Sequence, residues 1–582
     1  MPVEPASISL FDELKRRRVF RALVGYGIGA FAVLQIVEPI MHGLHWPDAV
    51  LSYVVVALAL GFPLVVGLAW IFDVNAGRIE RTEPGALRGS RAALLLAGIG
   101  LLAAAPGLAW YFLLRREAVA PTAGVAGPSI AVLPLVNLSS DKEQEYFSDG
   151  LSEELLNLLA KVPGLRVAAR TSAFAFKGRS EDMSEIGRKL HVATILEGSV
   201  RKSGDQIRIT TQLINAGDGY HLWSETYDRK LTDVFAVQDE IAKAVVAALK
   251  LKLLAAPTSN DRRTANSEAF NQYLLGKQFF HRNNIPDFNR AKQAFEKAVA
   301  LDPGYAPAWA GLALATFWVA DTAASSAEVI AGQDRAVEAA NRAIVLAPDL
   351  ADGYLARGFV RVPIQWDWEG SRADFERALA LKPDDSEALS EYAHVVLRPL
   401  ARMPEAVAAL RRATGADPLN ARTWSRLGSA LALSGQRGPA REAFNRSLEI
   451  SPDQSSTPYA LSLSFLVEGR PAEALAASQR STAEFYQLVG AAEAQHDLGH
   501  ESESQKALDQ AIAKWGHAGA YQLAEAYAWR GDKDRALQWL DRAVKQRDGG
   551  LVNIKVDPLL ASLHGDPRYA AVLRKMNLPP DR

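Results

Sequence analysis

Apolar residues are distributed in three regimes along this chain. Near the start lie three apolar stretches, Ala22 to Ile40, Val50 to Phe72 and Ala92 to Leu114, each close to the roughly 20 residues that a helix needs to cross a bilayer core. From Ser129 the runs become short and alternate in type. Ile130 to Leu135 suits a buried strand, Asp149 to Leu159 is helical with Leu151, Leu155, Leu158 and Leu159 on one side, Leu165 to Ala169 reads as a strand and Met183 to Leu190 as a helix. Ala193 to Val200 and Gln206 to Ile214 flank the turn sequence Lys202-Ser203-Gly204-Asp205, with Ile207, Ile209, Thr211 and Leu213 sharing a face of the hairpin's second arm. Tyr220 to Thr226 adds a strand and Val234 to Leu249 a closing helix, so the predicted order is βαβαβββα, a small mixed sheet with helices against it. From about Ser267 a helical period of roughly 34 residues takes over. Its marker is the proline ending each second helix, Pro303, Pro348, Pro383, Pro418 and Pro452, with an insertion around Ala320 to Ile330.

Basic residues orient the apolar front. Lys15, Arg16, Arg17, Arg18 and Arg21 precede the first stretch, and Arg78, Arg81, Arg88 and Arg91 lie between the second and third; only Arg115 and Arg116 follow the third. Positive flanks stay in the cytoplasm, so the N-terminus is expected there and everything after about residue 116 in the periplasm. Were the third stretch peripheral, the remainder would be cytoplasmic. Gly25 and Gly29 form a small-xxx-small pair, suited to packing among the chain's own spans or to a homodimer. Composition excludes more than it assigns. Lys and Arg number 65 against 66 Asp and Glu, leaving no field that would draw the chain onto nucleic acid. With no cysteine, disulfides, thiolate metal sites and cysteine nucleophiles are ruled out.

Three resemblances follow from particular residues. FDELKRRRVFR at Phe11 to Arg21 and AWIFDVNAGRIERT at Ala69 to Thr82 resemble the membrane leader of many proteobacterial repeat proteins. SIAVLPLVNLSSDKEQEYFSDGLSEELLNLLAKVPGLRVAARTSAFAFKG, with the stretch from IGRKLHVATILEGSV to AVQDEIA, is similar to the TolB amino-terminal-like domain. That resemblance implies a fold and limits but no catalytic activity. In related architectures the same module follows a cyclase or a winged-helix domain, where this chain has apolar spans. Finally, Trp424, Leu427, Gly428, Leu431, Ala440, Phe444 and Pro452 occupy the tetratricopeptide (TPR) positions in order, and Ala291-Phe295-Ala298-Pro303 and Phe375-Ala378-Pro383 repeat the second half.

Candidate chemistry is sparse. Asp149, Glu153 and Glu154 cluster with Asp141 and Glu143 at a helix start, where acidic residues suit capping and the helix dipole, with Asp149-Gly150 as the cap. His191 and His221 lack metal-site spacing and read as structural. Gly217-Asp218-Gly219 is a turn without the GK[ST] of a phosphate loop, and Tyr220, Trp223 and Tyr227 read as core or as a ligand platform. A TPR array presents the first helix of each pair on a concave face that binds peptides; the register places Asp352, Leu355, Phe359, Glu387, Ser390, His394, Arg422, Ser425 and Ser429 there. One arginine in that set does not make the basic clamp that grips a peptide's terminal carboxylates.

The expectation is an α-rich multidomain chain: a membrane domain at 1–116, a linker at 117–128, a TolB amino-terminal-like α/β domain at 129–252, about eight TPR helix pairs at 267–547 and a capping segment at 548–582. Its expected role is that of an inner-membrane, non-enzymatic scaffold binding proteins or peptides, without cofactor, metal or nucleic acid. The alternatives are a sensor taking a small ligand in the α/β domain or the repeat groove, and an array that serves chiefly as spacer or oligomerisation surface.

Overall fold

The computed structural model describes residues 127–249, 263–320 and 326–579, with positions 26, 29, 30, 33, 58, 61, 65, 72–75 and 78–81. The chain divides into two units, Met1–Gly124 and Val125–Arg582. The three expected spans and the linker lie almost wholly outside the described residues, among which no helix is long and apolar enough to cross a membrane. In the first unit Tyr26 donates to the Leu58 carbonyl, and a Cβ at Gly61 would lie 2.8 Å from the Tyr26 hydroxyl. Among the described residues nothing lies within 4 Å of a Cβ built at Gly29, and Gly25 lies outside them. Phe72, the last residue of the second expected span, starts a strand: β1 (Phe72–Asn75) pairs antiparallel with β2 (Arg78–Arg81).

The second unit opens with an α/β module. Its strands are β3 (Ser129–Val132), β4 (Val136–Asn137), β5 (Arg166–Val167), β6 (Thr194–Ser203), β7 (Gln206–Asn215) and β8 (His221–Lys230), in the order β5-β3-β6-β7-β8 with β4 beside β6. β3 runs parallel to β5 and β6, and β6-β7-β8 is an antiparallel meander. Alternation in β7 puts Ile207, Ile209, Thr211 and Leu213 at 2% exposure or less, which fixes which sheet face meets the helices. On that face pack α1 (Glu145–Leu159), through Phe147, Leu151, Leu155 and Leu159, and α4 (Val234–Ala248), through Val237, Ile241 and Val245. The other face is covered by α2 (Arg170–Phe174) and α3 (Met183–Leu190). The expected strand at Leu165 to Ala169 shrinks to two paired residues, and α2 follows it without having been expected. α1 begins four residues before Asp149, so Asp149 caps nothing; it is buried in the second turn and pairs with Lys177 at 2.6 Å.

Eight helical hairpins follow among the described residues: α5/α6 (Ser267–His281, Ile285–Leu301), α7/α8 (Ala306–Ala320, Ser326–Leu346), α9/α10 (Ala351–Gln365, Trp368–Leu381), α11/α12 (Ser386–Tyr392, Met403–Ala416), α13/α14 (Ala421–Leu433, Arg437–Ile450), α15/α16 (Ser456–Val467, Pro471–Ser478), α17/α18 (Glu484–Asp497, Glu501–Trp515) and α19/α20 (Ala520–Trp529, Lys533–Gln546). Small residues let the two helices of a pair close on a phenylalanine. A Cβ at Gly428 would meet the Phe444 ring at 2.6 Å and one at Gly276 the Phe295 ring at 2.7 Å, while Phe295, Phe375 and Phe444 are at most 1% exposed. α11 continues into a π-helical turn, Ala393–Leu397, where Arg398 N–H donates to Ala393; Pro399 follows and has no N–H to continue an α-helical ladder. After α20 come two 3-10 turns, Gly549–Asn553 and Pro558–Leu563, and α21 (Pro567–Lys575). This terminal segment does more than cover the last hairpin. Trp368 Nε1 donates to the Met576 carbonyl at 2.7 Å and Arg398 Nη1 to Asn553 Oδ1 at 2.9 Å, so it reaches back to the third and fourth hairpins.

Candidate functional site

The inner side of the hairpin stack is occupied differently along its length, and the charged residues sort accordingly. At the front the α/β module sits against the stack. α1 packs on α5, where a Cβ at Gly150 would lie 2.6 Å from Leu274, and Leu419 packs on the α2/α3 side of the sheet. Asp417, 1% exposed, accepts from Ser172 N at 3.0 Å and from Ser172 Oγ; the Ser172 hydroxyl accepts in turn from Leu419 N at 2.8 Å.

Between these contacts lies a charged crevice. Glu153 binds Lys277 at 2.7 Å, Arg170 at 2.9 Å and His281 at 3.5 Å. Burial opposes its charge, but these cations outweigh burial and hold the carboxyl well below the usual range. Glu154 has Lys277 at 3.7 Å, yet burial dominates and raises its carboxyl. Across the crevice Asp352 pairs with Lys382 at 2.7 Å and feels the charges of Lys277 and Glu153. Burial works against this pair as well, but Lys382 holds the Asp352 carboxyl down and Asp352 drives the ammonium up to about 12. Side chains here keep 12% to 41% exposure, so the crevice is both charged and wet.

The fourth and fifth hairpins carry a second patch. Glu391, 7% exposed, receives Arg426 through both carboxylate oxygens, at 2.9 and 3.1 Å, and Arg422 at 3.4 Å. Arg426 also donates to Ser390 Oγ at 2.9 Å. Arg398 is 6% exposed and burial, with Arg426 nearby, lowers its guanidinium to about 10. His394 lies among these three arginines; burial first and their charges second hold its imidazole well below its ordinary value, and its Nδ1 is buried with no hydrogen-bond partner among the described residues. Glu387 stands exposed at the edge of the patch, and crowding by surrounding protein, then Asp385 and Glu391, push its carboxyl up to about 7. The charges that reach His394 are those of the three guanidiniums, so the patch is basic around it, with Glu391 paired to Arg426 and with Glu387 and Asp385 at its edge.

Of the nine residues the register assigns to the concave face, Glu387 and Arg422 are exposed. Ser390 and Ser425 are buried, at 3% and 8%, the latter accepting from Thr457 Oγ1 at 2.9 Å. Asp352, Leu355, Phe359, His394 and Ser429 are half-buried. Phe359 is spent on an aromatic cluster with Phe317 and Trp318, and Leu355 packs against the hydrophobic core. Arg398 and Arg426 were missed. Arg426 stands four residues beyond Arg422, and that i,i+4 spacing was the available signal; Arg398 follows the π-helical turn Ala393–Leu397, where that spacing no longer keeps one face. His191 and His221 are exposed, and His191 ends α3 in a left-handed conformation, φ 55°. Tyr220, 74% exposed, and Tyr227, 4% exposed, do not share a platform. Among the described residues no group of His, Cys, Asp and Glu is placed to hold a metal ion.

Residues 421–454 match the tetratricopeptide repeat family, and that stretch of the chain is such a repeat. A stretch of 191 residues is 42% identical to "Putative adenylate cyclase 3" of Rhizobium meliloti, covering 32% of this chain and 32% of that protein. Another of 172 residues is 31% identical to "Protein FlbA" of Caulobacter vibrioides, covering 29% of this chain and 26% of that protein. The chain thus spans about a third or less of the length of the curated relatives it matches. Among solved structures, pilF of Pseudomonas aeruginosa aligns at 18% identity and TM-score 0.31, over 39% of this chain and 98% of that chain.

Proposed function

We propose that this chain is a non-enzymatic scaffold held in a bacterial inner membrane by its apolar front, with a TolB amino-terminal-like module and a TPR stack on the periplasmic side that together hold a protein partner. The observation that carries this reading is the basic patch around His394 beside the repeat at 421–454, where Arg422 stays open to solvent while Arg426 and Glu391 fix its surroundings. A partner segment bearing a carboxylate fits such a patch. No cyclase chemistry is proposed: the cyclase name belongs to the Rhizobium protein, of which about a third is matched. The test is affinity purification of the full chain from crosslinked membranes, wild type against Arg422→Glu. The reading requires a defined partner recovered with the wild type and reduced at least about tenfold with the variant; identical recovery would refute it.

A second reading rests on the crevice between the module and the first three hairpins. Opposite charges from α1, α5 and α9 converge there, which suits a small zwitterion, and a sensor would bind it there. Thermal shift of the full chain against a set of amino acids, with Glu154→Gln as control, separates this reading from a pure scaffold.

A further inference from the structure

Where α15, α17, α19 and the terminal segment meet, three carboxyls and two phenols form one buried chain. The Tyr459 hydroxyl lies 3.1 Å from Glu493 Oε1 and 3.2 Å from Glu525 Oε2, Glu525 hydrogen-bonds Asp557, and the Tyr521 hydroxyl lies 2.7 Å from Asp557 Oδ2. All five residues are 5% exposed or less. The four contacts need four hydrogens. The phenols bring one each, so the other two must sit on carboxyls. The arrangement that puts the charge where donors converge is this: Glu493 donates to Tyr459, Tyr459 to Glu525, Glu525 to Asp557, and Asp557 is the carboxylate that also accepts from Tyr521 and, at 2.8 Å, from Leu559 N–H. It explains why Glu493 Oε2 is buried with no hydrogen-bond partner among the described residues. On a neutral acid that atom is a carbonyl oxygen, whose isolation costs far less than that of the bare buried charge it would carry on a carboxylate. Burial correspondingly raises the Glu493 and Glu525 carboxyls well above their ordinary range.

The chain of protons joins two parts of the molecule, since Asp557 belongs to the terminal segment and Glu525 and Glu493 to the last two hairpins. The segment's other links to those hairpins are apolar side chains buried in the shared core, Leu551, Ile554, Leu560 and Leu573 among them, and exposed ion pairs, Arg568–Asp534 at 2.7 Å and Lys575–Asp541 at 2.5 Å, of which the ion pairs hold weakly. Its far contacts cover Arg398 and close on Trp368. We propose that residues 549–576 form a proton-held gate on the inner side of the stack: two protons shared among Glu493, Glu525 and Asp557 help to keep it shut, and their loss to solvent base sets three carboxylates against one another, favours opening of the segment and uncovers Arg398 at the edge of the His394 patch. The groups facing the network are Tyr459 from α15, Tyr486 and Asp497 from α17, Tyr521 from α19, Asp548 and Tyr569 from the terminal segment, and Arg398 from the π-helical turn. Only Arg398 is cationic, and it acts on Tyr521 rather than on a carboxyl. The gate's consequence for partner access rests on the scaffold reading; its opening does not.

The sign follows from proton counting. Once the solvated carboxyls of the open state are ionised, above about pH 5, the shut state holds two protons that the open state lacks. Each rise of one pH unit therefore favours opening by up to about 100-fold while both protons remain, and about tenfold when one remains. The experiment is hydrogen exchange with mass spectrometry on the full chain in lipid nanodiscs, following peptides within 549–563 from about pH 6 to about pH 9 and correcting for intrinsic exchange. The expected slope of log opening constant against pH is near two for the wild type, near one for Glu493→Gln or Glu525→Gln, and near zero for the double variant, whose amides supply the missing donors. A wild-type slope below one, or a double variant that keeps the wild-type slope, overturns the gate. Should either variant not fold, the wild-type slope alone decides. A gate with the expected slope and no partner in affinity purification would sink the scaffold and leave the gate standing.

Discussion

A methyl group at position 428 would sit 2.6 Å from the Phe444 ring, closer than any packing tolerates. Gly428→Ala is therefore expected to lower stability by about 1–3 kcal/mol through overpacking, read as a drop in the unfolding midpoint, whereas Ala at exposed Gly438 within α14, which has nothing within 4 Å, should leave it unchanged or raise it by up to about 1 kcal/mol. Glu387 offers a second residue-scale test. With its carboxyl raised to about 7 and Arg422 acting to lower it, the side chain goes from mostly neutral to mostly charged between about pH 6 and about pH 8. Carbon NMR of the carboxyl should find that midpoint near neutrality and move it upward in Arg422→Gln; a midpoint in the ordinary glutamate range contradicts the site's electrostatics. At this scale the sequence was readable where register alone decides. Arg422 follows from its place in the clearest repeat, but Arg398 sits beyond a π-helical turn that shifts the face by one residue and is buried by a segment some 155 positions away, which no local pattern contains.

Elements were legible where one face is apolar and the other is not. The strand–turn–strand at 194–215 and the helix at 183–190 have periodicities that only one secondary structure satisfies. Boundaries set by polar residues were not. Asp149 looks like a cap because it precedes an apolar run, yet the helix extends back through Phe147 to Glu145, and α2 owes its place to Asp417, 245 residues away. Asp417→Ala should strand the buried Ser172 N–H and cost about 1–3 kcal/mol, appearing as faster hydrogen exchange at 170–176 with little change in the later hairpins; Asp417→Asn, which keeps an acceptor, should do less. Uniform acceleration across the whole unit would show that Asp417 does not serve as a local joint.

For the whole molecule the decisive feature is that the inner side of the stack is already partly filled, at the front by the α/β module and at the rear by the terminal segment, with the basic patch between them. A 34-residue period announces a concave surface but is silent about what the chain itself lays against it, because those contacts are made by residues outside the repeats. The most direct measurement is site-specific photo-crosslinking in native membranes with the probe at Glu387, beside the patch, and at Lys506, an exposed position on α18. A scaffold that works through this patch gives a discrete polypeptide adduct at 387 that disappears in Arg422→Glu, and none at 506. No adduct at 387, or equal adducts at both positions, would contradict it.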